Sequence, residues 1–256
     1  MKSLFHFLLT NIPRPILIML SYPYRAFARV WYAGSRYTCP IEEKSYRKFL
    51  PYGALKLRPN VLCPGSMSLE RHRLLWLYLK NKTSFFTAPK LKMLHIAPEQ
   101  CFLDLFKAQS NLDYTTADLV SPIADVKMDL HNAPFEDNTF DVIFCNHVLE
   151  HVNDDHQCMS ELYRVMKPGG WGIFQVPLDV NREETLEDPN ITSEEDRLKY
   201  YWQKDHVRLY GMDYAKKLEA VGFNVTVEDY TKEIGAELSD KYRLMDGELL
   251  FFCEKK

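Results

Sequence analysis

The first 38 residues contain no aspartate or glutamate, although they carry five basic and eight aromatic residues. The chain of 256 residues has a net charge of −3, so residues 39–256 together carry −8. An acidic remainder argues against a nucleic-acid-binding protein, which needs a basic contact surface. With 46% hydrophobic and 26% charged residues, the chain has the composition of a globular protein that buries a core.

Long apolar runs are also missing. Residues 4–9 and 16–20 are apolar, but Pro13, Arg14 and Pro15 separate them, and neither run approaches the roughly 20 residues of a membrane span. No small-residue cleavage site of a secreted protein follows. Basic residues among aromatic and aliphatic ones are typical of a helix at a membrane surface. An arm packed on the rest of the protein, or on a second subunit, explains residues 1–38 equally well.

The six cysteines show no spacing typical of a disulfide framework, and four of them lie inside apolar runs. We therefore expect a cytoplasmic protein, either free in the cytoplasm or associated with a membrane surface.

Two cysteine knuckles each lack their second cysteine. The sequence reads Cys39-Pro-Ile-Glu42 and then Cys63-Pro-Gly-Ser66, where two complete C-P-x-C pairs would indicate a zinc site of four thiolates. Two thiolates and one carboxylate make a weak site, so we expect no metal here. Residues 39–82 are predicted to form a small metal-free lobe and a helix. The lobe is expected to be held by packing of Tyr46, Phe49, Leu50 and Tyr52.

The helix that follows this lobe reads LERHRLLWLYLK. Ser66 or Ser68 is predicted to cap it, and residues 74–79 are apolar nearly all round, which indicates burial. We expect His72 on the surface of this helix.

Residues 91–179 alternate short apolar runs with helical patterns, which is typical of parallel βα units. Strands are predicted at residues 91–97, 112–117, 125–129, 141–145 and 172–176, and closing strands at 223–230 and 248–254. Helices are predicted at residues 101–109, from Asp154 to Lys167, and at 213–221, where Asp213 is expected to cap. Polar residues at the ends of successive parallel strands build the ligand crevice of such a sheet.

Asp118 ends the second of these strands, 21 residues after Ala97. A carboxylate at this spacing is the usual acceptor for ribose hydroxyl groups in nucleotide-binding α/β folds. A turn aspartate beside Ser121-Pro122 is the alternative.

The run DLHNAPFEDNTFDVIFCNHVLEHV, followed by ELYRVMKPGGWGIFQVP, resembles the class I S-adenosylmethionine-dependent methyltransferases of the type-11 kind. The resemblance covers residues 91–178 and extends loosely to the C-terminus. The knuckles with LERHRLLWLYLK, HIAPE and DHVRLYG resemble an uncharacterised bacterial branch whose members keep full C-P-x-C pairs. It implies a Rossmann-like α/β fold, in which residues 83–256 form a seven-stranded sheet with helices on both faces.

The resemblance also implies a cofactor, S-adenosylmethionine, and residues that hold it. Asp118 would bind the ribose, Asp129 and the backbone of Leu130 would face the adenine, and Asn146 would lie near the transferable methyl group.

The turn after the first of these strands replaces the family's glycine-rich loop. An acid followed by three glycines is expected at positions where this chain has His95, Ala97, Glu99 and Cys101. Glu99 and Cys101 add bulk where the backbone approaches the cofactor. Glu99 could instead bind the positive ammonium group of the cofactor.

Residues 179–210 form an acidic insertion, which is either a solvated surface or a lid over the methyl acceptor. The aromatic and basic residues at its end favour a substrate wall, to which we assign Tyr201, Trp202, Arg208 and Tyr210.

Methyl transfer to a hydroxyl acceptor needs a base, and His147 and His206 are the candidates. We expect His151 to be a helix residue beneath the site. These residues predict a methyltransferase for a small-molecule or lipid-linked acceptor. A catalytically inactive scaffold of the same fold is the main alternative, and an RNA-modifying enzyme is a third.

Overall fold

The computed structural model of the chain describes residues 12–53 and 57–256. The first element is an 18-residue helix, α1 (Arg14–Trp31). Residues 1–11 of the basic arm lie outside the described residues. No helix among the described residues is long and apolar enough to cross a membrane.

Two antiparallel hairpins follow α1. Strands β1 (Ala33–Cys39) and β2 (Lys44–Tyr46) form the first, and β3 (Leu50–Tyr52) and β4 (Arg58–Leu62) form the second. Tyr46 and Phe49 are buried as predicted, but Leu50 is half-buried and Tyr52 is exposed, because β3 lies at the surface. The lobe shares one hydrophobic cluster with the central sheet, so it packs against that sheet as part of the same core.

Helix α2 (Glu70–Lys82) buries most of its apolar run, as predicted. Two expectations for it were wrong. Leu69 occupies the N-cap position, and its backbone N–H donates to Nδ1 of His72 at 3.1 Å, so neither Ser66 nor Ser68 caps the helix. His72 is buried and packs edge-on against Phe102, because the first turn of α2 faces the sheet rather than the solvent.

The central sheet has seven strands in the order β10-β11-β9-β8-β5-β6-β7. Its parallel part consists of β5 (Leu91–Ile96), β6 (Leu112–Asp118), β7 (Val126–Lys127), β8 (Phe140–Cys145) and β9 (Met166–Ile173). The antiparallel part adds β10 (Asn224–Glu228) and β11 (Leu250–Glu254). The strand order runs outward in both directions from β5, so a crevice is expected beside the carboxyl ends of β5 and β8.

Helices cover both faces of this sheet, which confirms the predicted fold class. Residues of α4 (Asp155–Val165) and α6 (Tyr214–Ala220) belong to one buried cluster. Residues of α2, α3 (Gln100–Lys107) and α7 (Tyr230–Ile234) belong to the other. Alternate residues of β5 and β8 enter different clusters, as the two-residue period of a strand requires. The remaining helices are α5 (Glu194–Tyr200) and α8 (Ala236–Tyr242).

Three local predictions were displaced. Helix α4 ends at Val165, and β9 begins directly after it and runs through the Pro-Gly-Gly sequence at 168–170. Residues 174–176, predicted as strand, lie beyond β9. Asp213 occupies the N-cap position of α6, but its carboxylate accepts a hydrogen bond from the Thr185 hydroxyl and makes no cap.

Candidate active site

The turn after β5 keeps the backbone shape of a glycine turn. Ala97 has a φ of +50°, in the left-handed region where glycine is the usual residue. Its N–H donates to the carbonyl of Ala117 at 2.8 Å, which fixes the turn to the end of β6. The turn that leads from β5 to α3 therefore has a backbone conformation that glycine adopts more readily than alanine.

Glu99 turns back into the protein and pairs with Nε2 of His95. The other ring nitrogen of His95 lies 2.8 Å from the Tyr114 hydroxyl, so the imidazole is held from both sides. Burial alone would raise the pKa of the Glu99 carboxyl, but the positive charges around it, led by His95, lower its pKa to about 2. The carboxylate is therefore ionised throughout the neutral range.

Asn146 connects this turn to the next two strands. Its Nδ2 donates to Oε1 of Glu99 at 3.3 Å, and its Oδ1 accepts the N–H of Gln175 at 3.2 Å. The side chain is buried at the carboxyl end of β8. The structure thus brings Asn146 and Glu99 together; their roles at the methionine end of the cofactor stay predictions.

The two predicted nucleotide-binding aspartates lie at the neighbouring strand ends. One oxygen of Asp118, Oδ1, accepts the N–H groups of Val120 and Ser121 at 2.7 and 2.5 Å. Asp118 is therefore a turn aspartate, which was the alternative interpretation; both bonds use Oδ1, and Oδ2 accepts no hydrogen bond among the described residues. Asp129 accepts the backbone N–H of His131 at 3.0 Å, and the next residue, Leu130, is buried.

His147 is presented by an unusual backbone conformation directly after β8. Its φ is +56°, which costs a residue with a side chain about 1–2 kcal/mol. Its Nδ1 lies 3.3 Å from Oε1 of Glu150, and its side chain is 22% exposed. The pKa of the Glu150 carboxyl would be raised by burial, but His147 and His151 lower it below its usual range.

His151 and His206 also lie beside Glu150, with ring centroids 4.7 Å apart. His151 lies in a turn and is exposed, because α4 begins only at Asp155; the prediction that it belongs to a helix was wrong. His206 is fully buried, and burial lowers its pKa. Glu150 was not singled out from the sequence, although its place between two histidines was a signal for it.

Three of the four predicted substrate-wall residues are interior residues instead. Arg208 donates to the carbonyl oxygens of Leu149, Val152 and Asn153 and pairs with Glu187. The hydroxyl of Tyr210 donates to Asp155 at 2.8 Å, and the hydroxyl of Tyr201 contacts Asp188. Because the segment between β8 and α4 has no regular secondary structure, its carbonyl groups need these partners. Trp202 alone of the four is exposed, at 37%.

Several of the buried polar atoms that lack a hydrogen-bond partner among the described residues lie at this end of the sheet. They come from helix α2 and from the segments after β8 and β9, and they belong to Arg71, His72, His147, Glu150, Gln175 and His206. Buried polar groups are normally satisfied, so such a group of atoms is typical of a site that receives a ligand. Arg71 lies close enough to help lower the pKa of Glu99. It was missed because a single arginine in a helix carries no sequence signal.

Helix α1 lies beside the same turn. Gln100 donates to the Ser21 hydroxyl at 2.7 Å, and the Tyr22 hydroxyl donates to Asp104 at 3.2 Å, so α1 contacts the first part of α3. We call the opposite side of α1 the outer face. It consists of apolar and aromatic residues with 40–79% of their surface exposed: Ile16, Met19, Leu20, Tyr24, Phe27, Val30 and Trp31.

The two incomplete knuckles also meet. One potential ligand atom from each of Cys39, Glu42 and Cys63 lies within 4.8 Å of the others. These groups already have partners: Cys63 and Tyr46 donate to Glu42 at 3.2 and 2.6 Å, and Arg29 pairs with its second oxygen at 2.9 Å. All six cysteines are free and buried. A metal-free lobe stays a prediction.

Residues 94–174 match the family model described as "Methyltransferase domain". Cycloartenol-C-24-methyltransferase 1 of Oryza sativa subsp. japonica is 46% identical over 44 residues, which are 17% of this chain and 13% of that protein. The ubiquinone/menaquinone biosynthesis C-methyltransferase UbiE of Desulfotalea psychrophila is 43% identical over 42 residues, or 16% of this chain and 17% of that protein. The chain therefore spans less than a fifth of the length of these relatives.

Among solved structures, a SAM-dependent methyltransferase from Archaeoglobus fulgidus aligns with 71% of this chain and 93% of its own. The TM-score is 0.47 and the sequence identity 17%. Residues 94–174 are therefore similar to a methyltransferase domain, and the seven-stranded sheet in which they lie confirms the Rossmann-like methyltransferase fold predicted from the sequence.

Proposed function

We propose that this chain transfers the methyl group of S-adenosylmethionine to a small apolar or lipid-linked acceptor. The observation that carries the proposal is the group of unpartnered buried polar atoms on α2 and on the segments that follow β8 and β9. These atoms lie at the crevice where an α/β sheet of this order binds its ligand.

The donor set suits the charges of the cofactor. Asp118 would hold the ribose hydroxyl groups, and Asp129 with the backbone of Leu130 would face the adenine. At the other end, the ionised Glu99 suits the ammonium group, and Arg71 suits the carboxylate. His95 and Ala97 hold the turn on which Glu99 is placed.

The bound cofactor supplies a methyl group activated by a positively charged sulfur. The protein's task is to align the acceptor and to exclude water. Asn146 fixes the end of β8 against Glu99, beside His147. His147 is the candidate base: its side chain is 22% exposed, its Nε2 is buried without a described partner, and Glu150 orients its ring through Nδ1. His206 is fully buried, with its Nδ1 2.8 Å from the carbonyl of Tyr201, so it acts within the site rather than on an incoming acceptor.

The class of acceptor is inferred from α1. Its outer face is apolar, and the acid-free segment that contains it carries only positive charges, which suits an anionic membrane surface. Because the inner side of α1 contacts Gln100 and Asp104, a membrane on the outer face would lie near the cofactor turn. Two of the relatives are named for cycloartenol and for ubiquinone/menaquinone biosynthesis, which fits an apolar acceptor. Trp202, exposed in the acidic insertion, is the remaining candidate for the substrate wall.

Calorimetric titration with S-adenosylhomocysteine tests the cofactor site. Asp118→Ala removes an acceptor of charge-assisted hydrogen bonds, each worth about 1.5–3 kcal/mol, so affinity should fall by roughly 10- to 100-fold. Asp113→Ala, an exposed change in the same strand, is the matched control. An unchanged affinity in Asp118→Ala would remove the ribose assignment. Absence of any heat with the unaltered protein at millimolar cofactor would favour the inactive scaffold.

Sedimentation with vesicles tests the membrane surface. The double variant Phe27→Ser and Trp31→Ser removes a stacked aromatic pair from the outer face and should strongly reduce binding to anionic vesicles. Leu198→Ser with Leu238→Ser, two exposed leucines elsewhere, is the control. Equal binding of both double variants would exclude α1 as the docking element.

A further inference from the structure

We propose that Glu150, His151 and His206 bind one divalent cation. Each offers one ligand atom, and the three atoms lie within 4.8 Å of one another. This site is separate from the knuckle cluster of Cys39, and it does not depend on whether the chain transfers a methyl group.

The two histidines have the orientation of metal ligands. Nδ1 of His206 lies 2.8 Å from the carbonyl of Tyr201, and Nδ1 of His151 lies 3.3 Å from the carbonyl of Asp205 and 3.5 Å from its carboxylate. Each ring therefore donates its Nδ1–H outward and keeps a lone pair on Nε2. Metal-bound histidines almost always donate their second nitrogen to a carbonyl or carboxylate in this way.

Glu150 is a buried carboxylate, 1% exposed, whose charge faces imidazole groups. Nδ1 of His147 lies 3.3 Å from Oε1, but neither oxygen accepts a hydrogen bond of good geometry within the part of the chain that the structure describes. Nε2 of His151 lies 4.0 Å from Oε1, and Nε2 of the buried His206 has no described partner. A buried charge without hydrogen bonds is costly unless it is paired or coordinates a metal. A cation between these three groups would satisfy all of them at once.

The ligand types select the class of cation. Two imidazole nitrogens and one carboxylate suit Zn²⁺, Co²⁺ or Mn²⁺ better than Mg²⁺ or Ca²⁺, which take mainly oxygen ligands. Bonds of about 2.1 Å in a tetrahedral site place ligand atoms about 3.4 Å apart, so the three side chains must draw together slightly. His151 is 35% exposed, which gives it freedom to rotate and gives the ion a path of entry. Three protein ligands leave a position open to water or to an oxygen of an acceptor.

Electrostatics around the site tolerate an added cation. The guanidinium of Arg208 hydrogen-bonds to the carbonyl of Leu149, next to Glu150, and would repel the ion. Its charge is balanced by a pair with Glu187 at 2.8 Å and by Asp155 at 3.7 Å. Asp205 adds a further negative charge behind His151.

Titration of chelator-treated protein without a polyhistidine tag tests this site, with Co²⁺ followed by visible absorption and Zn²⁺ by calorimetry. The unaltered chain should bind one cation at this site. His151→Ala, at an exposed position, should weaken binding by about tenfold or more, because one ligand is lost. Glu150→Gln, which keeps the buried shape, should do the same. His156→Ala, an exposed histidine on α4, should bind as the unaltered chain does.

The knuckle cluster is separated by a variant of its own. Cys63→Ser should bind Co²⁺ at the Glu150 site as the unaltered chain does. The cobalt spectrum of this variant should lack the charge-transfer band of a thiolate ligand. Absence of binding in the unaltered chain would overturn the proposal. So would an affinity in His151→Ala and Glu150→Gln equal to that of the unaltered chain, or binding that Cys63→Ser alone abolishes.

Discussion

Replacing Glu99 by glutamine tests whether a buried charge stabilises the turn between β5 and α3, which stands where the family has a glycine-rich loop. The change keeps the shape of the side chain but removes its negative charge. Glutamine can still accept the hydrogen bond from Asn146, but it cannot form an ion pair with His95.

The expected magnitude follows from the pKa of the carboxyl group. It falls from 4.5 to about 2, and each pKa unit corresponds to about 1.4 kcal/mol, so the folded state favours the ionised form by about 3 kcal/mol. The side chain of Glu99 is 13% exposed, so solvent screens this contribution only in part. At pH 7 we expect Glu99→Gln to lose about 2–3 kcal/mol of unfolding free energy.

The pH dependence gives the sharper test. Because the folded pKa is lowered, this stability is fully present above about pH 4.5 and is lost as the pH falls towards 2. Urea unfolding of both proteins at pH 7, 5 and 3 should therefore show a difference that is constant at first and then shrinks. Glu136→Gln, an exposed change, should show no such difference.

A difference that did not depend on pH would refute the electrostatic explanation, since lost packing alone has no such profile. A difference near zero at pH 7 would refute the buried ion pair itself. Titration of Glu99→Gln with S-adenosylhomocysteine then separates stability from binding: weaker binding in a folded protein supports a contact with the ammonium group.

Two further changes concern residues that the structure relocated. The pKa of His72 lies well below 6.5 because of burial, so below about pH 6.5 the unfolded chain binds a proton that the folded chain excludes. The unfolding free energy should then fall by about 1.4 kcal/mol for each pH unit of acidification below pH 6.5. His72→Gln can still accept the N–H of Leu69 and should lessen that slope in urea unfolding. Arg208→Met removes the donor to three backbone carbonyl groups, of which only that of Leu149 keeps another described donor, the Tyr210 hydroxyl. The change should cost about 3–5 kcal/mol, or roughly 10 °C in thermal unfolding. The exposed change Arg36→Met should leave the melting temperature unchanged, and an equal loss in both would contradict the role of Arg208.

The sheet could be predicted because its strands are local apolar runs with polar ends. Strand β6 ends at Asp118 and β8 ends just before Asn146, as the pattern indicated. Boundaries failed where long-range pairing overrode local signals. Pro168-Gly169-Gly170 reads as a break, but β9 passes through it: the pairing with β8 shifts register between Met166 and Trp171. Backbone hydrogen bonds with Lys255 hold Gly169 and Gly170 in between.

The site was predictable only in part, because burial decides the role of a polar side chain and sequence does not show burial directly. Arg208 and Tyr210 are of residue types that are common in binding surfaces, yet they donate hydrogen bonds to a backbone carbonyl in the interior. Glu150 and Arg71 were missed for the converse reason. Their importance comes from atoms that the fold leaves without partners.

The position of α1 has a consequence for regulation. One helix offers an apolar face to the solvent and touches the first turns of α3 through Gln100 and Asp104. If vesicles change the affinity for S-adenosylmethionine by some factor, the cofactor must change the affinity for vesicles by the same factor. The fraction of the protein that is bound to the membrane would then depend on the concentration of S-adenosylmethionine.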